Sequence, residues 1–292
     1  MLSRPRRSVL YMPASNARAI EKARGLPCDG VILDLEDAVA PEAKPAARAS
    51  AVEAVRAGGF GPRELVIRCN GLDTPWGADD LAAAAAAGPD AILVPKISRP
   101  ADIDAYADAV ADAPERTALW AMIETPAAVL ALAELAAASA RRRTTCWVLG
   151  LNDLAKAMGG RQTRDRAPHA PILTLAAAAA RAHGLAILDS VFNGIDDAAT
   201  FEIHCRQAAD IGFDGKSLIH PSQIEIANRI FSPDPAEVAW SRAVIAAYAL
   251  PENRMRGALQ VEGRLAERLH LEEAERLVRV AEAIEHLQQP SA

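Results

Sequence analysis

The chain has 292 residues, of which 51% are hydrophobic and 24% are charged, and a chain of this composition can bury a full globular core. The formal net charge of −6 gives no electrostatic footprint for nucleic acid or for an anionic membrane, and no apolar run is long enough to span a bilayer. We therefore expect neither nucleic acid nor a membrane as a partner, and local cations must hold any anionic ligand.

The cysteines indicate a reducing compartment. All four are scattered along the chain, form no C-x-x-C pair and lie mostly in apolar runs, which is typical of buried thiols. The basic N-terminal residues precede an apolar run, 8–13, that is too short for a signal peptide and contains a proline. We therefore predict a cytoplasmic protein.

Apolar strand-like runs alternate with alanine-rich helical patterns along most of the chain. This alternation requires a parallel sheet that is covered by helices. Eight such units favour a closed (β/α)8 TIM barrel over an open doubly wound sheet, which would carry G-x-G-x-x-G after its first strand. The predicted strands are 8–12, 30–36, 65–69, 91–95, 118–124, 146–150, 186–191 and 215–219, and the predicted helices are 17–24, 43–57, 79–87, 101–111, 126–142, 172–183, 198–211 and 221–231.

The residues after the barrel form a predicted C-terminal helical extension. The catalytic barrel is expected to cover 1–232, and a Ser-Pro-Asp-Pro segment then breaks the pattern. Two more helices are predicted at 236–249 and 265–287, with an exposed linker before the second, which is strongly amphipathic. We expect residues 233–292 to pack on the barrel, to cover its mouth as a lid, or to reach a neighbouring subunit.

Two carboxylates stand where neighbouring predicted strands end. Glu124 ends the fifth strand, and Asp153 follows the sixth. The carboxyl ends of the strands meet at one rim of a TIM barrel, and that rim carries the catalytic side chains. Either acid alone is better explained as a residue at a helix N-terminus. The pair, however, predicts a magnesium site, because Mg²⁺ prefers carboxylate oxygens and leaves positions for a substrate.

Other predicted strands also end in charged side chains. Glu36 and Asp37 end the second strand, where they can orient metal-bound waters. Arg68 ends the third, and its guanidinium matches a carboxylate or enolate oxygen. Lys96 adds a catalytic candidate, although a structural salt bridge to Glu36 or Glu124 explains it equally well. This combination fits a small oxo- or hydroxy-acid that is bound through the metal.

The loop after the sixth strand contains three arginines at the same rim, Arg161, Arg164 and Arg166. They could contact an anionic ligand. A solvated loop explains them better.

Seven segments together resemble one known family. They are RSVLYMP at 7–13, DLEDAV at 34–39, RCNG at 68–71, PK at 95–96, IETP at 123–126, GLNDL at 150–154 and GFDGKSLIHPSQ at 212–223. In this order and at these barrel positions they resemble the HpcH/HpaI aldolase–citrate lyase family. Within it the chain is similar to the citrate lyase β-subunit-like acyl-CoA lyases, which include the malyl-CoA, β-methylmalyl-CoA and citramalyl-CoA lyases.

The resemblance implies specific roles at the rim. It implies Mg²⁺ held by Glu124 and Asp153, with Glu124 also at the substrate, and a keto-acid oxygen bound by Arg68. The acids that stand behind the metal waters would be Glu36 and Asp37.

The resemblance also implies a CoA thioester as substrate. CoA would lie across the barrel mouth, with its phosphates near the end of the first strand and the first helix. The candidate contacts are Tyr11, Pro13, Asn16, Lys22 and Arg24.

A mobile C-terminal acid is a further feature that the resemblance implies. In the stand-alone lyases a C-terminal segment brings an aspartate over a neighbouring subunit's site. The corresponding stretch here is GRLAE at 263–267, so Glu267 is the candidate acid or base, one methylene longer than aspartate. The resemblance further implies a homo-oligomer, as a trimer or a hexamer.

We therefore predict an Mg²⁺-dependent carbon–carbon lyase that cleaves a 3-hydroxyacyl-CoA thioester to a 2-oxo acid and an acyl-CoA. Malyl-, β-methylmalyl- and citramalyl-CoA are the candidate substrates. Three alternatives use the same barrel: a citrate lyase β-subunit acting on a thioester of an acyl carrier protein, a malyl-CoA thioesterase, and a non-catalytic acyl-CoA-binding barrel.

Overall fold

The computed structural model describes residues 4–288, in which Arg6–Ile230 form one compact unit and the residues from Phe231 onwards belong to a second. The first unit contains a closed barrel of eight parallel strands, which follow one another around the barrel in sequence order. The barrel closes where the first strand, β1 (Ser8–Pro13), pairs with the eighth, β8 (Gly215–Leu218), from Ser8 opposite Lys216 to Leu10 opposite Leu218. The predicted (β/α)8 TIM barrel is confirmed, and the open-sheet alternative is wrong.

The barrel strands are short and almost entirely buried. Their residues are mostly apolar because a parallel sheet with helices outside is covered on both faces. All four cysteines are buried and unpaired, as their apolar surroundings predict. The strands are β1 (Ser8–Pro13), β2 (Gly30–Asp34), β3 (Glu64–Arg68), β4 (Ala91–Val94), β5 (Ala118–Ile123), β6 (Thr144–Leu149), β7 (Ala186–Asp189) and β8 (Gly215–Leu218).

The helices that surround the barrel differ from the predicted ones at two places. The predicted helix 126–142 is interrupted at Ala131, and a short helix directly after β6 was not predicted. Side chains of Asn16, Thr125 and Asp197 cap α1, α5 and α9 by accepting backbone N–H groups. The helices are α1 (Ala17–Ala23), α2 (Lys44–Ala57), α3 (Gly77–Ala87), α4 (Pro100–Ala109), α5 (Pro126–Leu130), α6 (Leu132–Arg141), α7 (Leu151–Ala157), α8 (Ala170–Ala182), α9 (Ala198–Ile211) and α10 (Ile224–Ile230).

The second unit contains a β-hairpin between two helices. The helices are α11 (Pro235–Ala249) and α12 (Arg268–Gln288), and the hairpin strands are β9 (Ala258–Val261) and β10 (Arg264–Glu267). Glu262 and Gly263 both have positive φ, which is the geometry of a tight two-residue hairpin turn. The apolar core of the second unit includes Val244 and Ala274. The hairpin replaces part of the predicted linker and the first turn of the predicted helix.

A buried charge cluster joins the barrel to the loop that follows α7. Asp189 and Lys216 are fully buried, and their Oδ2 and Nζ atoms lie 2.5 Å apart. Arg166 Nη1 donates to both Asp189 oxygens, at 2.8 and 2.7 Å. Burial raises the pKa of Asp189, but Lys216 and Arg166 lower it by more, so the carboxylate stays ionised. The interpretation of Arg166 as a solvated loop residue is therefore wrong, whereas Arg161 and Arg164 are exposed.

Within residues 4–288, no helix has the length and apolar character that crossing a membrane requires.

Replacing Asp189 by Asn should destabilise the barrel strongly. The substitution keeps the side-chain shape but leaves Arg166 and Lys216 as buried cations without a carboxylate. Loss of one partner of a buried ion pair typically costs about 3–5 kcal/mol. Urea unfolding followed by fluorescence measures the change.

The matched control is Glu202→Gln, which removes a carboxylate from the exposed ion pairs with Arg206 and Arg229. Exposed pairs contribute little, so its unfolding midpoint should stay close to that of the parent chain. Equal midpoints for the Asp189 and Glu202 variants would contradict the stabilising role of the cluster.

Candidate active site

A cavity of about 270 Å³ opens at the rim where the barrel strands end. Charged side chains line one part of its wall, among them Asp37, Arg68 and Asp153. Uncharged side chains line another part, among them Asn152 and Asn193. The cavity lies where a TIM barrel carries its catalytic residues.

Asp34 holds Arg68 against the cavity. The two residues are neighbours in the register of β2 and β3, and the guanidinium donates from Nε to Oδ1 at 2.6 Å and from Nη2 to Oδ2 at 2.7 Å. Its carbon lies 4.9 Å from the centre of the Tyr11 ring. Burial alone would lower the pKa of Arg68, but Asp34 and its other neighbours raise it well above the usual value. The cation is therefore permanent and rigidly placed.

The third guanidinium nitrogen of Arg68 faces the predicted acids. Nη1 lies 2.7 Å from Glu36 Oε2, an ion pair that lacks hydrogen-bond geometry, and 3.3 Å from Asp37 Oδ2. Glu36 is buried, which raises its pKa, while Arg68 opposes that rise. Asp37 is exposed and lines the cavity. The structure therefore brings Arg68, Glu36 and Asp37 together.

Glu124 is a buried carboxylate with one free oxygen. Oε1 accepts the backbone N–H of Lys96 at 2.8 Å, whereas Oε2 has no hydrogen-bond partner among the described residues. Burial and the nearby Glu36 raise the pKa of Glu124 to about 8, with Asp153 adding to the rise. A buried acceptor without a donor is costly unless a cation or a proton satisfies it.

Lys96 contacts all three of the acids that surround it. Its backbone N–H binds Glu124, and its Nζ lies 3.2 Å from Glu36 Oε1 and 3.9 Å from Asp153 Oδ1. Its φ of 55° lies in the left-handed region, which is uncommon for a residue other than glycine. The salt bridge to Glu36 that the sequence allowed is present, and Lys96 also links Glu36 to the Glu124–Asp153 pair.

The Glu124–Asp153 pair fits a divalent cation. Glu124 Oε2 is unpaired, and the mutual repulsion of the neighbouring acids is what a dication would offset. Among the described residues no group of three or more His, Cys, Asp and Glu side chains is arranged to hold a metal. Two carboxylates with water and substrate oxygens are nevertheless a common way for proteins to bind Mg²⁺.

Gly150 leaves the space that Glu124 occupies. A Cβ atom at position 150 would lie 2.5 Å from Glu124 Cβ and 2.6 Å from its Oε2. Only glycine therefore fits beside this carboxylate. Gly150 belongs to the GLNDL motif, and the motif alone does not indicate this packing role.

The structure brings only some of the predicted CoA contacts to the cavity. Tyr11 lines it, Pro13 ends β1, and Asn16 caps α1. Lys22 and Arg24 lie at the end of α1, which in this fold points towards the opposite rim. The Arg24 guanidinium there binds the Gly58 carbonyl and stacks on Phe60.

Glu267, the candidate mobile acid or base, ends β10 in the second unit and has an exposed side chain. Its role as an acid or base stays a prediction.

One residue that supports the rim was not predicted. Lys44, which no motif indicated, is buried and donates to the carbonyl oxygens of Leu35 and Glu36 and to Asn70 Oδ1. It therefore supports the turn that carries Glu36 and Asp37, and its place in the first turn of a helix gave no sign of this.

Three uncharged amides near the rim were also missed. Asn152 and Asn193 form a reciprocal pair, with Nδ2 to Oδ1 distances of 3.3 and 3.0 Å, and Gln162 donates to Asn152 Oδ1 at 2.7 Å. Neutral amides occur at many loop positions. Only the tertiary fold, which brings α7, the loop after it and the loop after β7 together, makes these three a group.

The fold and the charged cavity define a TIM-barrel protein with a candidate active site at the carboxyl ends of its strands. The model of the family HpcH/HpaI aldolase/citrate lyase matches residues 7–221, so the chain belongs to that family, as its motifs predict.

Similar proteins include a thioesterase, a lyase and the solved structure of CitE. A (3S)-malyl-CoA thioesterase of Cereibacter sphaeroides is 48% identical over 280 residues, which cover 96% of each chain. An L-malyl-CoA/beta-methylmalyl-CoA lyase of the same organism is 34% identical over 97% of this chain and 96% of its own. CitE from Mycobacterium tuberculosis, solved with magnesium, acetoacetate and coenzyme A, is 31% identical, with a TM-score of 0.75 over 96% of this chain and all of that chain.

The predicted carbon–carbon lyase activity is wrong by this comparison. Four thioesterases of Cereibacter sphaeroides are between 45% and 48% identical to the chain, whereas the lyases are 34% identical. The comparison favours the thioesterase alternative. A trimer or hexamer and a cytoplasmic location stay predictions.

In the metal-free chain, Glu124 should contribute a fall in the free energy of unfolding as the pH rises from about 4.5 to about 8. The contribution is read as the difference between the parent chain and Glu124→Gln, because His204, whose pKa burial lowers to about 4, acts in the opposite direction in both. The unfolded chain releases the Glu124 proton at the ordinary glutamate pKa, while the folded chain retains it until the raised pKa, so the folded state binds more protons in this interval. Urea unfolding with a chelator, over this pH range, measures the slope. Glu124→Gln should remove the fall in unfolding free energy that Glu124 contributes. The same slope of unfolding free energy against pH in both chains would refute the raised pKa.

Proposed function

We propose that the chain is an Mg²⁺-dependent thioesterase that hydrolyses (3S)-malyl-CoA or a close analogue. The observation that carries this proposal is the 45–48% identity, over 96% of the chain, to proteins named (3S)-malyl-CoA thioesterase. In the reaction water adds to the thioester carbonyl carbon and the carbon–sulfur bond breaks. The products are malate and the free thiol of CoA.

The charged part of the cavity suits the malyl end of this substrate. That end carries a carboxylate and a neighbouring hydroxyl, both of which are oxygen ligands for a hard cation. Glu124 and Asp153 would hold Mg²⁺, and the presence of magnesium and coenzyme A in the similar CitE structure supports both ligands. When bound, Mg²⁺ would supply Lewis-acid polarisation of the substrate oxygens.

The protein side chains would position the substrate and move the proton. Arg68 would bind the substrate carboxylate through Nη1, because Asp34 engages Nε and Nη2. The substrate would then replace the long contact of 3.3 Å between Nη1 and the exposed Asp37. Asp37 is our candidate to accept the proton of the attacking water, since it lines the cavity and is exposed. Glu36, held between Arg68 and Lys96, would act as a positioning residue.

Hydrolysis of (3S)-malyl-CoA with Mg²⁺ should release free thiol and malate. Glu124→Ala and Asp153→Ala should each lower kcat by about 10²- to 10³-fold, because each removes a principal electrostatic group of the site. Arg68→Lys should also be severe, since a lysine cannot reproduce the bidentate geometry. A thiol-reactive dye and chromatography of the acids measure both products.

Thermal unfolding of each variant serves as the control for folding. Glyoxylate and acetyl-CoA as the main products, or full hydrolysis without a divalent metal, would contradict the proposed function.

Gly150→Ala should weaken Mg²⁺ binding by about 10- to 100-fold, the range found when a residue that supports a metal ligand is lost. The new methyl group would meet Glu124 Cβ and Oε2 and displace the carboxylate. Isothermal calorimetry with Mg²⁺ measures the change. Gly160→Ala is the matched control, because its nearest heavy atom would be the Ala155 carbonyl oxygen at 3.8 Å. Equal affinities for both variants would rule out this role of Gly150.

A further inference from the structure

The chemistry of the cavity lining changes around the barrel. Its charged residues come from β2, β3 and the segments after β2 and β6, where they stand among uncharged neighbours such as Met122 and Gly150; they are Asp34, Asp37, Arg68 and Asp153. On the side of β7 and β8 the lining residues are uncharged, namely Val191, Asn193, Ser217 and Ile219. A malyl thioester has the same division, because its carboxylate and hydroxyl lie at one end and its neutral thioester at the other.

We propose that the paired amides of Asn152 and Asn193 bind the carbonyl oxygen of the substrate's thioester and stabilise the negative charge that develops there during hydrolysis. This inference rests on the proposed function and extends it to the group that reacts. The two residues would be catalytic, since they would touch the reacting atoms, and Gln162 would be a positioning residue.

The hydrogen-bond count of the pair makes it a net donor. Asn152 Oδ1 accepts from both Asn193 Nδ2 and Gln162 Nε2, so both of its lone pairs are used. Each Nδ2 carries two N–H groups and uses one of them inside the pair. Two N–H groups therefore remain against a single free lone pair, on Asn193 Oδ1. A site with surplus donors suits an acceptor such as a carbonyl oxygen or an oxyanion.

The pair lies in the same cavity as the candidate metal ligand Asp153, as a short substrate requires. In a malyl thioester one methylene separates the hydroxyl-bearing carbon from the thioester carbon, so the reacting carbonyl must lie close to the groups that hold the hydroxyl. Asn152 is adjacent in sequence to Asp153, our candidate metal ligand, and both residues line the cavity. Asn193 reaches the same place from the loop after β7.

Neutral amides are better suited to this position than charged donors. The rim already carries several carboxylates, and a further cation would pair with one of them, as Lys96 does with Glu36. Together with Gln162, the amide pair satisfies three of its four acceptor lone pairs and keeps two N–H groups for a ligand. Such preorganised donors cost no reorganisation as the charge on the carbonyl oxygen develops.

The test separates recognition of the carbonyl from turnover. Two CoA analogues that cannot be hydrolysed serve as probes: a ketone, in which a methylene replaces the thioester sulfur, and a thioether, in which a methylene replaces the carbonyl. Calorimetry with Mg²⁺ measures both dissociation constants for the parent chain, Asn193→Ala and Asn152→Ala. The parent chain should bind the ketone about fivefold more tightly than the thioether, as one hydrogen bond predicts, and each variant should lose that preference.

Kinetics with (3S)-malyl-CoA provide a second readout. Asn193→Ala should lower kcat by about 10²- to 10³-fold, the usual cost of one oxyanion donor, while KM changes by less than about threefold. The control is Gln207→Ala. Gln207 forms hydrogen bonds with Arg166 and Asp165, in the loop after α7 that also carries Gln162, but it does not line the cavity. This control should retain the preference for the ketone and most of the activity.

The outcomes distinguish this inference from the proposed function. An equal preference for the ketone in the parent chain and in Asn193→Ala, or the same loss in Gln207→Ala, would overturn the inference even if the chain hydrolyses malyl-CoA. A preference that disappears with Asn193, in a chain that releases no thiol from malyl-CoA, would support recognition of the carbonyl and refute only the hydrolytic function.

Discussion

The carboxylate of Asp34 is the constraint on which the rest of the site depends. It accepts two hydrogen bonds from Arg68, at 2.6 and 2.7 Å, and two more from the backbone N–H groups of Glu36 and Ala38, at 2.9 and 3.1 Å. One buried group therefore sets both the direction of the guanidinium and the turn that carries Glu36 and Asp37. Charge-assisted bonds of this kind are short and strong, and here they connect β2 to β3 at the rim.

Arg68 and Glu124 differ in how their surroundings affect their charge. Arg68 is held charged by the acids beside it, whereas Glu124 is held close to neutrality by burial and by Glu36. Repulsion from the neighbouring carboxylates makes Glu124 hard to ionise. A divalent cation at this position would offset that repulsion and would satisfy Oε2, which has no hydrogen-bond partner among the described residues. Lys96 moderates the repulsion between Glu36 and Asp153, and its left-handed backbone lets it bind Glu124 at the same time.

The barrel and the charged rim could be predicted because both follow from local pattern. Strand–helix alternation specifies the fold, and the last residue of a strand lies at the rim whatever its neighbours are. What depends on distant contacts could not be predicted in this way. Arg166 lies in a polar loop, and only the tertiary fold brings it to Asp189. The β9–β10 hairpin has four-residue strands whose exposed positions resemble a linker, and Lys96 carries no sequence sign of its positive φ.

The error in the predicted activity has a related cause. The motifs that identify the family are dominated by the charged end of the site, and a lyase and a thioesterase can bind the same malyl group there in the same way. Which bond breaks depends on how the thioester carbonyl is bound and on the access of water, and in our proposal the uncharged residues Asn152 and Asn193 of the cavity lining bind that carbonyl. Charged motifs therefore locate the site, while the choice between two reactions on one substrate has to be sought among the neutral residues that face the reacting carbon.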